Sequence, residues 1–263
     1  MRATVVAAIA AFAALGVSLA VGAAGHADAV TGGAAFGLPQ NAVPTRGAPV
    51  GTAPSEIVVT GGGSARVQAG GLPAGGLAAA VDAGWAATTA ARAGIPTRAM
   101  IAYAGAALVL ATEQPDCGLG WNTLAALGDV ESDHGRHGGS TVGGDGAVEP
   151  PIIGPSLDGG AFASIGDSDG GVWDDDATWD HAVGPFQFIP DTWRAWGTDA
   201  GGDGHADPQN IDDSALAAAR YLCASGSLAS AQGWRAAVFS YNHDDAYVDR
   251  VAAVANGYAD RTS

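Results

Sequence analysis

The sequence predicts a mainly α domain with one long irregular insertion, preceded by a stretch that does not fold. Three observations predict it. Apolar stripes at helical spacing, with recognisable starts and stops, occur over 99–132 and again over 190–258. Between them, residues 137–183 have no clear period and are crowded with Gly and Asp. Ahead of both, residues 30–92 are rich in Gly, Ala, Pro, Thr and Val and poor in large apolar side chains. Such a chain cannot bury enough surface to offset its ordering entropy.

The elements follow in order. Arg2 is a short basic start, residues 5–21 are apolar, and Ala27-Asp28-Ala29 is an A-x-A site. Residues 1–29 therefore read as a secretory signal peptide cleaved after Ala29. The apolar run is followed by no Cys, which argues against lipid attachment there. Residues 30–92 read as a flexible tether, with room for a short helix near 77–91. About 165 residues remain, enough for one domain with a real core. Pro96 suits a first helical turn and opens a helix over 99–113, whose apolar run of about 14 residues is too short to span a bilayer. Pro115, Asp116 and Gly118 break it, and a second helix runs over 121–132. In the irregular insertion, "PIIGP" and "AFASI" are short strand candidates. Four further helices are expected: 190–196, the stretch "NIDDSALAAARYLCASG", "GWRAAVFSYN", and 244–258, where Val248, Val251, Ala252 and Ala255 share a face. The last five residues, 259–263, read as a tail.

Charge narrows the function. The formal net charge is −16, with 27 acidic and 11 basic residues, and every basic residue is Arg. A nucleic-acid binder needs a basic face, so that class is disfavoured. In an exported chain the two cysteines, Cys117 and Cys223, suggest a disulfide.

Only four of the acids are glutamates: Glu56, Glu113, Glu131 and Glu149. Leu124, Leu127, Gly128 and Glu131 are spaced i, i+3, i+4, i+7, so Glu131 continues an apolar helix face. A carboxyl placed there should have its pKa raised by desolvation, which suits a general acid. Pattern alone is equally compatible with a glutamate that reaches out to solvent or caps the helix end.

Four blocks shift that balance: "CGLGWNTLAALGDVESDHGRHGG", "DHAVGPFQFIPDTWRAWG", "DPQNIDDSALAAARYLCASG" and "SYNHDDAYVDRVAAVANGY". In this order, over 93–258, they resemble the exported lytic murein transglycosylases of the B type, in particular their actinobacterial relatives. The resemblance implies a lysozyme-like transglycosylase fold, mainly α, with a long irregular loop insertion that can hold short strands. It implies cleavage of the β-1,4 bond between N-acetylmuramic acid and N-acetylglucosamine, leaving 1,6-anhydro ends. Glu131 falls on the catalytic acid, which Ser132 follows. The glycine-proline loop of the site falls on Gly184, Pro185, Phe186, Gln187 and Phe188, with Phe186 in place of the usual Met. The Tyr-Asn pair falls on Tyr241 and Asn242. Ser132, Gly184, Phe186, Gln187, Tyr241 and Asn242 are thus the expected substrate-binding residues. Asp180 matches an acidic position and is read as structural.

The stretch "DAGGDGHADPQN" resembles a calcium loop, with Asp199, Asp203 and Asp207 at ligand positions, but Gly201 and Asn210 stand at two others. No cofactor is required, and a structural calcium is an alternative to a plain acidic turn. Trp193 and Trp196 read as core. His134, His137, His181 and His205 have no metal spacing and read as solvated loop residues. The expected partner is the glycan strand of peptidoglycan, with no membrane span after cleavage, a monomeric state, and a secreted or cell-envelope location. A hydrolytic muramidase of the same fold, a non-catalytic wall-binding module and a calcium-dependent adhesion or sensor protein are the competing classes.

Overall fold

A computed structural model describes residues 58–59, 63–64, 72, 75–160 and 162–263. The expected signal peptide and most of the expected tether lie outside the described residues. Among the described residues the fold is mainly α: α1 (Ala83–Ala93), α2 (Thr97–Glu113), α3 (Trp121–Ser132), α4 (Pro190–Trp196), α5 (Ile211–Ala224), α6 (Ala231–Tyr241) and α7 (Asp245–Thr262). Three short antiparallel pairs accompany them. β1 (Val58–Val59) pairs with β2 (Gly63–Ser64), β3 (Thr141–Val142) with β4 (Val148–Glu149), and β5 (Ile153–Ser156) with β6 (His181–Val183).

Helix α2 is the spine. Residues Ala99, Ala102, Ala104, Ala106 and Ala107 bury small side chains around Met100, Tyr103 and Leu110. Small residues let neighbouring backbones approach, and α2 packs on α5, α1 and α3. Helix α5 answers with buried Ala215, Ala217, Ala218 and Ala219 beside Leu216 and Leu222. It starts where Asn210 accepts a hydrogen bond from the Asp212 amide, so an orphan N–H of the first turn is satisfied. Arg98 of α2 forks onto Asp212 at 2.8 and 2.5 Å. Cys117 and Cys223 form a disulfide that ties the end of α2 to the end of α5.

The packed part of the chain begins earlier than the expected residue 93. A 3-10 turn over Leu77–Ala80 and helix α1 bury Leu77, Ala86, Ala90 and Ala93 in the main core. Asp82 caps α1 through the Trp85 amide at 2.6 Å, and Gly94 closes it in a left-handed conformation. The 3-10 turn and α1 fall on the short helix expected near 77–91; their packing into the core was not marked in the sequence, because alanine offers little hydrophobic signal. At the other end α7 runs on to Thr262, whose side chain is buried, so the expected tail from 259 belongs to the helix.

Of the two strand candidates, 151–155 contributes to β5, whereas 161–165 makes only isolated bridges, Asp158 to Ser164 and Gly166 to Trp179 flanking and closing the turn. Asp side chains hold this insertion by accepting backbone N–H bonds two to four residues on, as Asp167, Asp169, Asp174 and Asp176 do. Asp180 is buried and accepts from the amide and hydroxyl of Ser168 at 2.8 and 2.7 Å, a structural role. Trp193 is buried edge-on to Phe188 at 5.5 Å, and Trp196 packs edge-on to Tyr221 at 5.5 Å. Among the described residues no single helix is long and apolar enough to cross a membrane.

Candidate active site

Glu131 occupies the last turn of α3, a helix buried continuously from Trp121 to Gly128. Its stripe carries it off the core toward α7, against which α3 packs. Glu131 as a whole is half-buried, but its carboxyl points inward and accepts a 2.5 Å hydrogen bond from the buried Tyr247 hydroxyl. Burial pushes its pKa up to about 8, although the Tyr247 bond and the nearby Arg250 guanidinium both act to lower it. At neutral pH most of the population therefore carries the proton. No other carboxylate contributes to that balance among the described residues. Tyr247 is fully buried, and burial together with the Glu131 charge holds its hydroxyl well above the usual phenol range, so it acts as a donor.

The turn after Glu131 is unusual. Asp133 and His134 both take left-handed φ values, 52° and 59°, which cost roughly 1 kcal/mol apiece for non-glycine residues. His134 is anchored against that cost. Its amide donates to Gly128 O at 2.8 Å. Its ring lies between the hydroxyls of Tyr103, 3.1 Å from Nδ1, and Tyr258, 3.0 Å from Nε2. Burial lowers its pKa to about 4, so it is neutral near pH 7. The expectation of a solvated loop histidine fails here, because Tyr103 and Tyr258 come from distant helices to enclose it. Tyr103 can lie that close to α3 because position 128 is glycine; a Cβ there would collide with its ring. His181 is also drawn in, with Nδ1 2.7 Å from Gly154 O and Nε2 3.3 Å from Asp176. His137 and His205 are exposed.

Facing α3 is the turn Gly184-Pro185-Phe186-Gln187, closed by mutual backbone bonds between Val183 and Phe188 at 2.8 and 2.9 Å. Gly184 has φ 76° and lies so close to the Pro208 carbonyl that a Cβ would collide with it. The turn is clamped by its carbonyls. Ser132 Oγ donates to Pro185 O at 2.7 Å, and Tyr241 Oη donates to Phe186 O at 2.7 Å. Gln187 is half-buried at φ 51°, with its side-chain amide on Gly184 O at 2.9 Å.

These positions sort the expected site residues. Ser132, Gly184 and Phe186 are buried, Phe186 edge-on to Tyr103 at 5.9 Å. Ser132 and Phe186 present no exposed side chain here and, with Gly184, shape and fix the turn. Tyr241 spends its hydroxyl on the same clamp, and the Glu131 charge acts on it. Asn242 is buried where α6 ends, its amide bonded to Val238 O. Gln187 keeps an accessible edge. Tyr247 was missed: its signal was present as an aromatic on the buried face of the last helix, but nothing local says that it meets an acid 116 residues away.

Asp199, Asp203 and Asp207 are not gathered. Asp199 accepts from the Gly202 and Gly204 amides, Asp203 from His205, and Asp207 from Gln209. The loop is closed instead by buried Asp213, which accepts from the Ala200, Gly201 and Asp207 amides at 2.7, 2.8 and 2.9 Å. Burial raises the Asp213 pKa to about 6 against those three bonds. Each of the three expected ligands thus closes a turn of its own, and they are not among the acids that converge among the described residues. Among the described residues the acids that do converge, with oxygens within 4.8 Å of one another, are Asp167, Asp169 and Asp180.

Residues 173–248 match the family model of a transglycosylase SLT domain. The matched segment contains the 184–188 turn, Tyr241, Asn242 and Tyr247, and Glu131 lies upstream of it. No curated protein and no solved structure matches the chain.

Proposed function

We propose that this chain is an exported peptidoglycan lytic transglycosylase of the B type, cleaving the β-1,4 bond from N-acetylmuramic acid to N-acetylglucosamine and leaving 1,6-anhydromuramyl ends. One observation carries the proposal: a single carboxyl, Glu131, kept protonated by burial and gripped by Tyr247, beside a turn clamped to its own helix. The match of residues 173–248 to a transglycosylase domain supports the lytic transglycosylase family and a peptidoglycan substrate.

The chemistry follows from the pKa. Protonated Glu131 gives its proton to the glycosidic oxygen as the C1–O bond breaks, and the N-acetylglucosamine hydroxyl leaves. Positive charge develops at C1 of the muramyl sugar. Its C6 hydroxyl attacks C1, and the Glu131 carboxylate takes the hydroxyl proton. The acid is restored, one bond to C1 replaces another, and no water is consumed. A pair of carboxylates, as used by hydrolytic glycosidases, is not needed for such an internal nucleophile. Tyr247 steadies the carboxylate in the interval between the two proton transfers. Gln187, which keeps an accessible edge, is assigned to the sugar-binding side, with Tyr241, Asn242, Ser132, Gly184 and Phe186 positioning the turn and the end of α6 beside it.

The remaining assignments are export through residues 1–29, a tether over most of 30–92, and action as a monomer in the cell envelope. The proposed activity is tested by mass analysis of digested peptidoglycan. Wild type should release anhydromuramyl products, and Glu131→Gln none. Reducing muramic ends would identify a hydrolytic muramidase instead, and unchanged lysis by Glu131→Gln would remove the catalytic role.

A further inference from the structure

Arg250 lies on α7 three residues beyond Tyr247, the residue that grips Glu131. That spacing is about 4.5 Å along the helix axis and keeps the two side chains on neighbouring faces. Arg250 is exposed. It is thus an exposed cation one helical turn from the residue that holds the acid, near enough for its charge to act on both Glu131 and Tyr247.

The other arginines around the domain are mostly engaged. Arg98, Arg136, Arg194, Arg220 and Arg235 each hold a carboxylate. Arg250 is in none of the ion pairs among the described residues. The sequence around it explains why. Its helical neighbours at i−4, i−3, i+3 and i+4 are Ala246, Tyr247, Ala253 and Val254, so no acid stands at pairing distance along the helix. The adjacent Asp249, and Asp245 a turn before, are both drawn to Arg235 of α6 at 2.6 and 3.3 Å. In a chain of net charge −16, an exposed arginine in no ion pair among the described residues, close to Glu131, is available to an anionic partner.

We propose that Arg250 is a substrate-recognition residue that pairs with a carboxylate on the lactyl arm of the muramyl sugar next to the scissile bond. This rests on the lytic transglycosylase reading. The arm ends in a free lactyl carboxylate when the strand carries no peptide, and otherwise leads to a peptide with carboxylates of its own. Both present the planar anion that a guanidinium holds through two parallel hydrogen bonds.

The test uses the full chain as wild type, Arg250→Gln and Arg250→Lys, with thermal melts to verify folding. Strands with and without peptide are supplied native or with carboxylates capped as methylamides. Initial cleavage rates are measured, and strand binding is measured by co-sedimentation in a Glu131→Gln background. Wild type should prefer native over capped strands by about tenfold or more, the value of a hydrogen bond to a charged group. Arg250→Gln should bring that ratio to near one, and Arg250→Lys should recover part of it. Loss of preference on peptide-bearing strands alone assigns a peptide carboxylate; loss on peptide-free strands alone assigns the lactyl group. An Arg250→Gln ratio equal to wild type on both strands overturns the proposal. Binding preference without anhydromuramyl release would reject the enzymatic reading and keep the subsite. Absence of strand binding would overturn both.

Discussion

Replacing Tyr247 by Phe removes one hydroxyl and keeps the ring that fills the α3–α7 interface. In the native protein that hydroxyl donates to Glu131 at 2.5 Å and lowers the carboxyl pKa against burial, with a net value of about 8. A hydrogen bond to a charged group contributes about 1.5–3 kcal/mol, which corresponds to roughly 1–2 pH units. Without it the Glu131 pKa should climb above 8. The general acid must be protonated to act, so activity falls as pH rises through that pKa. The alkaline limb of kcat/KM for anhydromuramyl release should therefore move up by about one unit or more in Tyr247→Phe. The maximal rate should fall as well, because the carboxylate formed midway loses its donor. The assay is a pH series on purified glycan strands, with melts at each pH to exclude unfolding. An alkaline limb that stays in place or moves down would refute the role given to Tyr247, and with it the cause given for the Glu131 pKa.

Three further outcomes are expected. Glu131 has a folded pKa raised from 4.5 to about 8, so its contribution to stability is present at low pH and lost as pH rises from about 4.5 through 8. Glu131→Gln should thus stabilise the fold at pH 7, by up to about 3 kcal/mol in urea melts, while abolishing cleavage. His134 has a folded pKa lowered from 6.5 to about 4, so the stability gained from its neutral ring is full above 6.5 and lost as pH falls through 4. His134→Gln should flatten the fall in urea midpoint between pH 6.5 and 4 relative to wild type, a difference of up to about 3 kcal/mol. Reduction of Cys117–Cys223, which closes a span of 106 residues, should lower stability by about 4–5 kcal/mol in chemical denaturation.

Much of this was legible wherever the cause is local. Helices α3 to α6 fall close to their expected spans because caps, breakers and stripes lie within each segment. Glu131 stands out by its place on the Leu124–Leu127–Gly128 face, but the four-block resemblance is what singles it out as the acid, and the disulfide was read from the cysteine pair in an exported chain. What was not legible depends on distant partners or weak side chains. His134 sits in a polar, glycine-rich run, and only Tyr103 and Tyr258 bury it. Phe186 looks like a sugar contact in its turn but is claimed by the core beside Tyr103. Asp199, Asp203 and Asp207 have ligand-like spacing, yet each closes a turn of its own while Asp213 holds the loop. Helix α1 falls on the short helix expected near 77–91, but its place in the core was not legible, because it buries alanines.

The central claim is that one protonated glutamate, Glu131, drives an internal displacement without water. It is tested most directly by digesting peptidoglycan in ¹⁸O-labelled water and weighing the released muropeptides. Anhydromuramyl ends with no label are expected, formed by wild type and not by Glu131→Gln. Labelled reducing muramic ends, or product from Glu131→Gln at the wild-type rate, would contradict it.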